Sequence, residues 1–282
     1  MPTITSFRAQ ELAARLPPLL VAARRVAATV AQGAHGRRRA GPGEIFWQFR
    51  RSHPGDAASA IDWRQSARSD HLFLRESEWA AAQTVWLWRD SSASMDWRST
   101  PELTTKGERA DLLMLALAEL LLRAGERVAL LHGGLAPTTG RGALERLAEA
   151  MERGCGDIGG RSLPHHVPVV LMGDFLAPLD DIAGQIRRAG GQGHMVQILD
   201  PAEESLPYDG RVRFEGVEGE GQLLVRRAEA LRAAYAERLA AHRDGLAALA
   251  RASGWSLATH RTDHSAGPAL LALYVRMAEG AA

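Results

Sequence analysis

"WLWRDSSASMDW", residues 86–97, sets an apolar run directly against an acid and a group of hydroxyls. Trp86, Leu87 and Trp88 read as the end of a buried strand, because a strand covered on both faces is continuously apolar. Asp90, Ser91, Ser92 and Ser94 follow, with little among them to bury. Such a strand end is either an ordinary polar loop, where Asp and Ser serve as turn and cap residues, or half of a metal site made of oxygen ligands.

The surrounding pattern supplies the fold. Strand-like segments at 84–88, 127–132, 167–175, 194–200 and 255–260 alternate with helix-periodic segments at 109–124, 142–154, 179–191, 226–252 and 269–279. Thr105 and Glu108 carry a capping-box signature just before the first of these helices. Alternation of this kind predicts an α/β fold: three layers, with a mostly parallel sheet flanked by helices. The stretch 201–222, rich in Gly and Glu, reads as irregular. Residues 1–83 read as an N-terminal extension, with an Ala/Arg-rich helix near 8–32, a turn-rich connector at 35–44 and a strand-and-turn segment at 45–79. Two domains are therefore expected, 1–83 and 84–282.

Composition narrows the class. The 282 residues are 46% hydrophobic and 24% charged, as in a globular chain. Basic and acidic residues number 34 and 33, so the overall charge favours neither nucleic acid nor an anionic membrane. The single cysteine, Cys155, excludes an internal disulfide and a cysteine-built zinc site. The strongest apolar run, 112–122, is short for a membrane span and contains Glu119. A soluble, cytoplasmic protein is expected. Lys106 is the only lysine, and it lies in "TTKGER" outside any P-loop motif.

In open α/β sheets, ligands gather past the carboxyl ends of the strands. Here those positions hold Asp90, Ser92 and Ser94 after the first strand and Asp174 after the third. "APTTGRG" (136–142) places Thr138 and Thr139 after the second, and either threonine could serve. Carboxylates with neutral hydroxyls, free of thiolate and imidazole, suit Mg²⁺ or Mn²⁺. The loop at 90–104 runs to 15 residues, where strand-to-helix loops usually take about 2–6. Trp97, within it, is the aromatic most suited to touch a partner.

The D-x-S-x-S of Asp90, Ser92 and Ser94, followed by a later threonine and aspartate, resembles the metal-ion-dependent adhesion site of a von Willebrand factor A domain. The resemblance implies a metal held by Ser92, Ser94 and Thr139, with Asp90 and Asp174 acting through water and one position open to a partner's carboxylate. One departure is "MGDF" (172–175), where the family frequently has T-D-G. Upstream, Glu44, Arg51, Pro54, Gly55, Asp56, Ile61, Asp62, Trp63, Ser66, Ala67 and Arg68 resemble the ordered signature of the bacterial domain of unknown function 58 family. That resemblance implies a partner, a MoxR-type AAA+ ATPase or its client, and a role in protein maturation or assembly. Many family members carry membrane helices, and this sequence shows none.

The expectation is thus a non-enzymatic protein-interaction module working by Mg²⁺-bridged recognition of a protein partner. Two rivals stand beside it: a metal-free scaffold that kept the fold, with "MGDF" as the sign of a lost site, and a metal-dependent phosphohydrolase using Asp90. The second lacks a further carboxylate two residues after Asp90, and the only lysine lies in a loop or helix start; a serine hydrolase is set aside separately, for want of a G-x-S-x-G elbow. The G-x-G-x-x-G within 154–160 follows a helix instead of a strand, so it does not read as a dinucleotide fingerprint. His260, Asp263 and His264 read as a strand-to-loop junction, and Arg37–Arg39 as a solvated turn.

Overall fold

Trp86 and Trp88 face one way along their strand and Val85 and Leu87 the other, and the core divides in two accordingly. The computed structural model describes residues 20–28, 30, 40–52, 61–69, 71–78 and 82–280, the last range apart from 133, 155, 157 and 159–162. Residues 8–19, 29, 31 and 32 of the expected first helix, 35–39 of the expected connector at 35–44, the Pro54-Gly55-Asp56 part of the signature and Cys155 lie outside the described residues, while 40–44 of that connector are strand instead of turn.

In chain order the elements begin with a helix α1 (20–28), a hairpin strand β1 (Ala40–Arg51), a one-turn helix α2 (Trp63–Ser66) and strand β2 (Phe73–Glu78). Then follow β3 (Thr84–Arg89), α3 (Lys106–Arg123), β4 (Arg127–Leu130), α4 (Ala143–Glu152), β5 (Leu163–Gly173), α5 (Leu179–Ala189) and β6 (Gly190–Leu199). The chain continues through α6 (Pro201–Ser205), β7 (Val212–Glu215), β8 (Gln222–Val225), α7 (Arg232–Ala252), β9 (Ser256–Arg261) and α8 (Ala266–Gly280).

Five strands make one parallel sheet in the order β4-β3-β5-β6-β9. One face carries Val85, Leu87, Val128, Leu130, Val170 and Met172, covered by α3, α4 and α8 and by Ala23, Ala27 and Val30 near α1. The other carries Trp86, Trp88, Val169 and Leu171, covered by Ile182 and Ile186 of α5, Leu246 and Ala250 of α7, and Trp255. The three-layer α/β expectation is met, since each strand alternates its apolar side chains between two helix layers.

The order of strands also positions a crevice. From β3 the chain passes through α3 to β4 on one side, then returns through α4 to β5 on the other. The helix after β3 covers one face and the helix after β5 the opposite face. Connections therefore part at the carboxyl ends of β3 and β5, the switch point where open sheets hold ligands.

The described residues form two compact units, one comprising residues 1–34 with Thr84–Ala282, the other His35–Gln83. The first helix thus packs with the sheet, where the sequence grouped it with the extension; its small Ala23 and Ala27, one turn apart, allow close approach to the core. In the second unit β1 and β2 pair antiparallel. Asp62 of the family-like signature caps α2 by accepting from the Gln65 N–H at 2.9 Å. The Ser66 hydroxyl donates to the Asp62 carbonyl and accepts from the Phe73 N–H, so two signature residues tie α2 to β2.

The "irregular" 201–222 stretch contains α6 and the start of an exposed hairpin, β7 with β8. Its strands are four residues each and bury almost nothing; Val212 and Phe214 alternate with Arg213 and Glu215 in β7, but Leu223 and Leu224 break the alternation in β8, so the hairpin leaves only a short periodic signal.

Candidate functional site at the carboxyl edge of the sheet

Asp90 directly follows β3 and Asp174 directly follows β5, and the backbone joins the two ends: the Asp90 N–H donates to the Met172 carbonyl at 2.8 Å. Gly173 sits beside Asp90, and a Cβ there would stand 3.0 Å from the Asp90 Cβ. After Asp90 the loop turns back. The Ser92 N–H donates to Asp90 Oδ1 at 2.8 Å, and residues Ala93–Asp96 form a short 3-10 turn around the fully buried Met95.

This turn brings the hydroxyls inward. Ser92 Oγ and Ser94 Oγ lie 3.0 Å apart, and Ser94 Oγ donates to Asp174 Oδ2 at 2.8 Å. Four of the five expected site residues, Asp90, Ser92, Ser94 and Asp174, are thereby joined through hydrogen bonds and adjacent strand ends. Thr139 shares no hydrogen bond with them. It is exposed beyond β4, where Arg146 donates to its backbone carbonyl and to the hydroxyl of Thr138. Trp97 is half-buried, and its backbone N–H donates to the Ser94 carbonyl at 3.4 Å.

The long loop is tied at several points. The Ser94 N–H donates to Glu218 beyond β7, and the Ser99 N–H to Asp200 Oδ2 at 2.9 Å. Beyond β5, Gln197 donates to the Asp174 carbonyl at 3.0 Å, and His242 meets the Phe175 carbonyl at 2.7 Å. Phe175 itself is buried with φ 49°, the left-handed conformation that glycine takes most easily. The "MGDF" departure therefore keeps a glycine-like backbone with a phenylalanine in it.

The sequence reading missed the residue that organises the site. Lys106, the first residue of α3, is 1% exposed, and its ammonium lies 2.8 Å from Asp174 Oδ2. The same ammonium pairs with Glu203 of α6. Glu203 in turn accepts from the Asp200 N–H, closing a capping box at the end of β6. Two signals pointed here: the sole lysine directly after an N-cap, and D-P-A-E (200–203) directly after a strand.

Electrostatics follow from burial and neighbours. Burial alone would pull the Lys106 ammonium down, but Asp174 and Glu203 outweigh it and hold it above the ordinary lysine value. Burial raises Asp90 above the usual carboxylate range; hydrogen bonds from Ser92 oppose this, and the charges of Asp174 and Glu218 add to it.

The hydroxyl and carboxylate donors have the oxygen chemistry that Mg²⁺ or Mn²⁺ takes. As arranged, however, they are engaged with one another. The Asp174 carboxylate accepts from Ser94 Oγ, Lys106 Nζ and the Leu176 N–H, filling three of about four lone-pair positions. Among the described residues, no three His, Cys, Asp or Glu side chains gather as a metal-ligand group. The residues fit a cluster neutralised by lysine better than a metal centre.

An α/β protein with a hydroxyl–carboxylate cluster at the switch point of a parallel sheet is the class this geometry defines. Within it the chain belongs to the family described as "Protein of unknown function DUF58", whose model matches residues 48–245. It is 29% identical over 278 residues to uncharacterized proteins of Mycobacterium bovis and Mycobacterium tuberculosis, covering 90% of this chain and 86% of each relative. Among solved structures, it is similar to the conserved hypothetical protein BatB from Bacteroides thetaiotaomicron, with TM-score 0.39 and 15% identity over 71% of this chain and 99% of that one. It is also similar to an uncharacterized membrane-spanning protein from Vibrio fischeri, with TM-score 0.18 and 15% identity over 69% of this chain and 97% of that one. Among the described residues, no helix is long and apolar enough to cross a membrane.

Proposed function

We propose that this chain is a non-enzymatic protein-interaction module, a von Willebrand factor A-like domain whose recognition surface is the carboxyl edge of its sheet. It acts in the cytoplasm with a MoxR-type AAA+ ATPase, in protein maturation or assembly. The observation that carries this reading is the joining of Asp90, Ser92, Ser94 and Asp174 across the ends of β3 and β5. The half-buried Trp97 follows the same turn and offers a partner an aromatic contact.

The motif resemblance favours a bridge of Mg²⁺ or Mn²⁺ completed by a partner's acidic side chain. The pairing of Lys106 with Asp174 favours the metal-free form of the same reading. Binding of the full chain to a MoxR-type ATPase, followed by biolayer interferometry with Mg²⁺ and with EDTA, tests the proposal. Binding should weaken at least tenfold in Ser94→Ala and in Trp97→Ala. Unchanged binding in both variants overturns the placement of the surface, and turnover of a generic phosphoester that Asp90→Ala abolishes overturns the non-enzymatic reading.

A further inference from the structure

The geometry points to Lys106 as the built-in cation of the strand-end cluster: its ammonium takes the place of a divalent metal, and the cluster assembles without one. This inference does not depend on the identity of any partner. Four observations carry it.

The ammonium sits on Asp174, one of the carboxylates that a metal at this strand end would use. It donates to Asp174 Oδ2, the same atom that receives the Ser94 hydroxyl, and to Glu203 of α6, just beyond β6. One side chain thus links the start of α3 to the ends of β5 and β6, while Thr139 beyond β4 stays outside the cluster.

Burial is the second observation. At 1% exposure, Lys106 is charged in a place where water cannot solvate it, and such a charge persists only when its partners are close and well placed.

Helix chemistry offers no reason for a cation there. Lys106 opens an 18-residue helix, at the end where the aligned peptide dipoles place positive charge. Acids are favoured at that end, and a cation is disfavoured. The carboxylates of Asp174 and Glu203, not α3, account for its presence.

The last observation is the choice of residue. Lys106 is the single lysine among 34 basic residues. Guanidinium is a planar fork, whereas ammonium is a compact point charge with three rotatable donors, closer in shape to an ion.

The test is Mn²⁺ binding to the full chain, read by the electron paramagnetic resonance signal of free Mn²⁺ and by the thermal midpoint. Wild type should leave the free signal unchanged and melt at the same temperature in EDTA. Lys106→Met should gain one Mn²⁺ per chain and a metal-dependent rise in midpoint, both lost when Ser94→Ala is added. Stoichiometric Mn²⁺ binding by wild type that Ser94→Ala abolishes overturns the inference. So does a folded Lys106→Met chain that gains no metal, since the lysine is then a structural ion pair only. If Lys106→Met folds only when Mn²⁺ is supplied, the inference is supported. If it does not fold under any condition, the wild-type titration decides alone.

Discussion

The ammonium of Lys106 and Oδ2 of Asp174 meet at 2.8 Å, joining the first turn of α3 to the end of β5 across 68 residues of chain. This pair explains why the loop after Asp90 is both long and ordered. The loop must pass over the sheet edge, deliver Ser94 to the same oxygen, and still start α3 so that its first side chain points back into the crevice.

Removing that ammonium should be costly. Lys106→Met leaves Asp174 and Glu203 buried without their common counter-charge, and breaking such a pair typically costs about 3–5 kcal/mol. Denaturant unfolding without added metal should show that loss. Adding Asp174→Asn should recover part of it, because one stranded charge is then gone. A loss under 1 kcal/mol, on the order of an exposed ion pair, would show that the pair contributes little.

The start of α3 is set by its cap. Thr105 accepts from the Glu108 N–H at 3.1 Å, and Glu108 accepts from the Thr105 N–H at 3.0 Å. Thr105→Ala should destabilise the fold by about 1 kcal/mol. Because Thr105 directly precedes Lys106, proteolysis of the loop at 97–104 should also speed up in that variant. Equal cleavage rates would show that the cap does not hold the loop.

Much of this was legible in the sequence, and the reason for each miss is physical. The strands of the sheet are apolar on both faces, so β3, β5 and β6 stood out as apolar runs, and Thr105 with Glu108 marked the start of α3 within a few residues. Asp90, Ser92, Ser94 and Asp174 were readable because the carboxyl ends of parallel strands must point at one edge. Lys106 left only indirect signals, its uniqueness and its place after the cap, since sequence spacing says nothing of a long side chain reaching across a crevice. Glu203 belongs to a third loop and meets Lys106 only through tertiary packing. The β7–β8 hairpin was missed because each of its strands is only 4 residues long, so the alternation in β7 is too short to stand out and β8 has none.

Acid should weaken the fold through two imidazoles. Burial, with Arg276 nearby, pushes His194 down to about 4. Burial pushes His260 down to about 4 as well, helped by Arg109 and His264 and opposed by Asp263. Both are neutral in the folded state, so their stability contribution is present above the ordinary histidine value and is lost as pH falls from about 6.5 toward 4. Each can remove up to about 3 kcal/mol over that range. Asp90 and Glu203, raised mainly by burial, act in the opposite sense, since protonating them relieves a buried charge. Unfolding free energies at pH 7 and pH 4.5 should show a net fall that shrinks in His194→Gln and in His260→Gln. A fall of the same size in both variants would assign the acid sensitivity to other groups.

Phe175 tests whether "MGDF" marks a decayed site. Its left-handed backbone, at φ 49°, costs about 1–2 kcal/mol for a residue with a Cβ. Glycine would remove that strain. It would also remove a ring that is 4% exposed and packs with Trp86, Trp88 and Ile182, and truncating a buried Phe costs about 3–5 kcal/mol. The second effect is larger, so Phe175→Gly should destabilise the protein by about 2 kcal/mol net. The carboxylate of Asp174 and its pairing with Lys106 should survive, because Gln197 and the β5–β6 register hold the preceding backbone. Equal or greater stability in Phe175→Gly would mean that the ring contributes less than the strain it imposes. The phenylalanine would then be a burden on the turn, and "MGDF" a sign of drift from an older site.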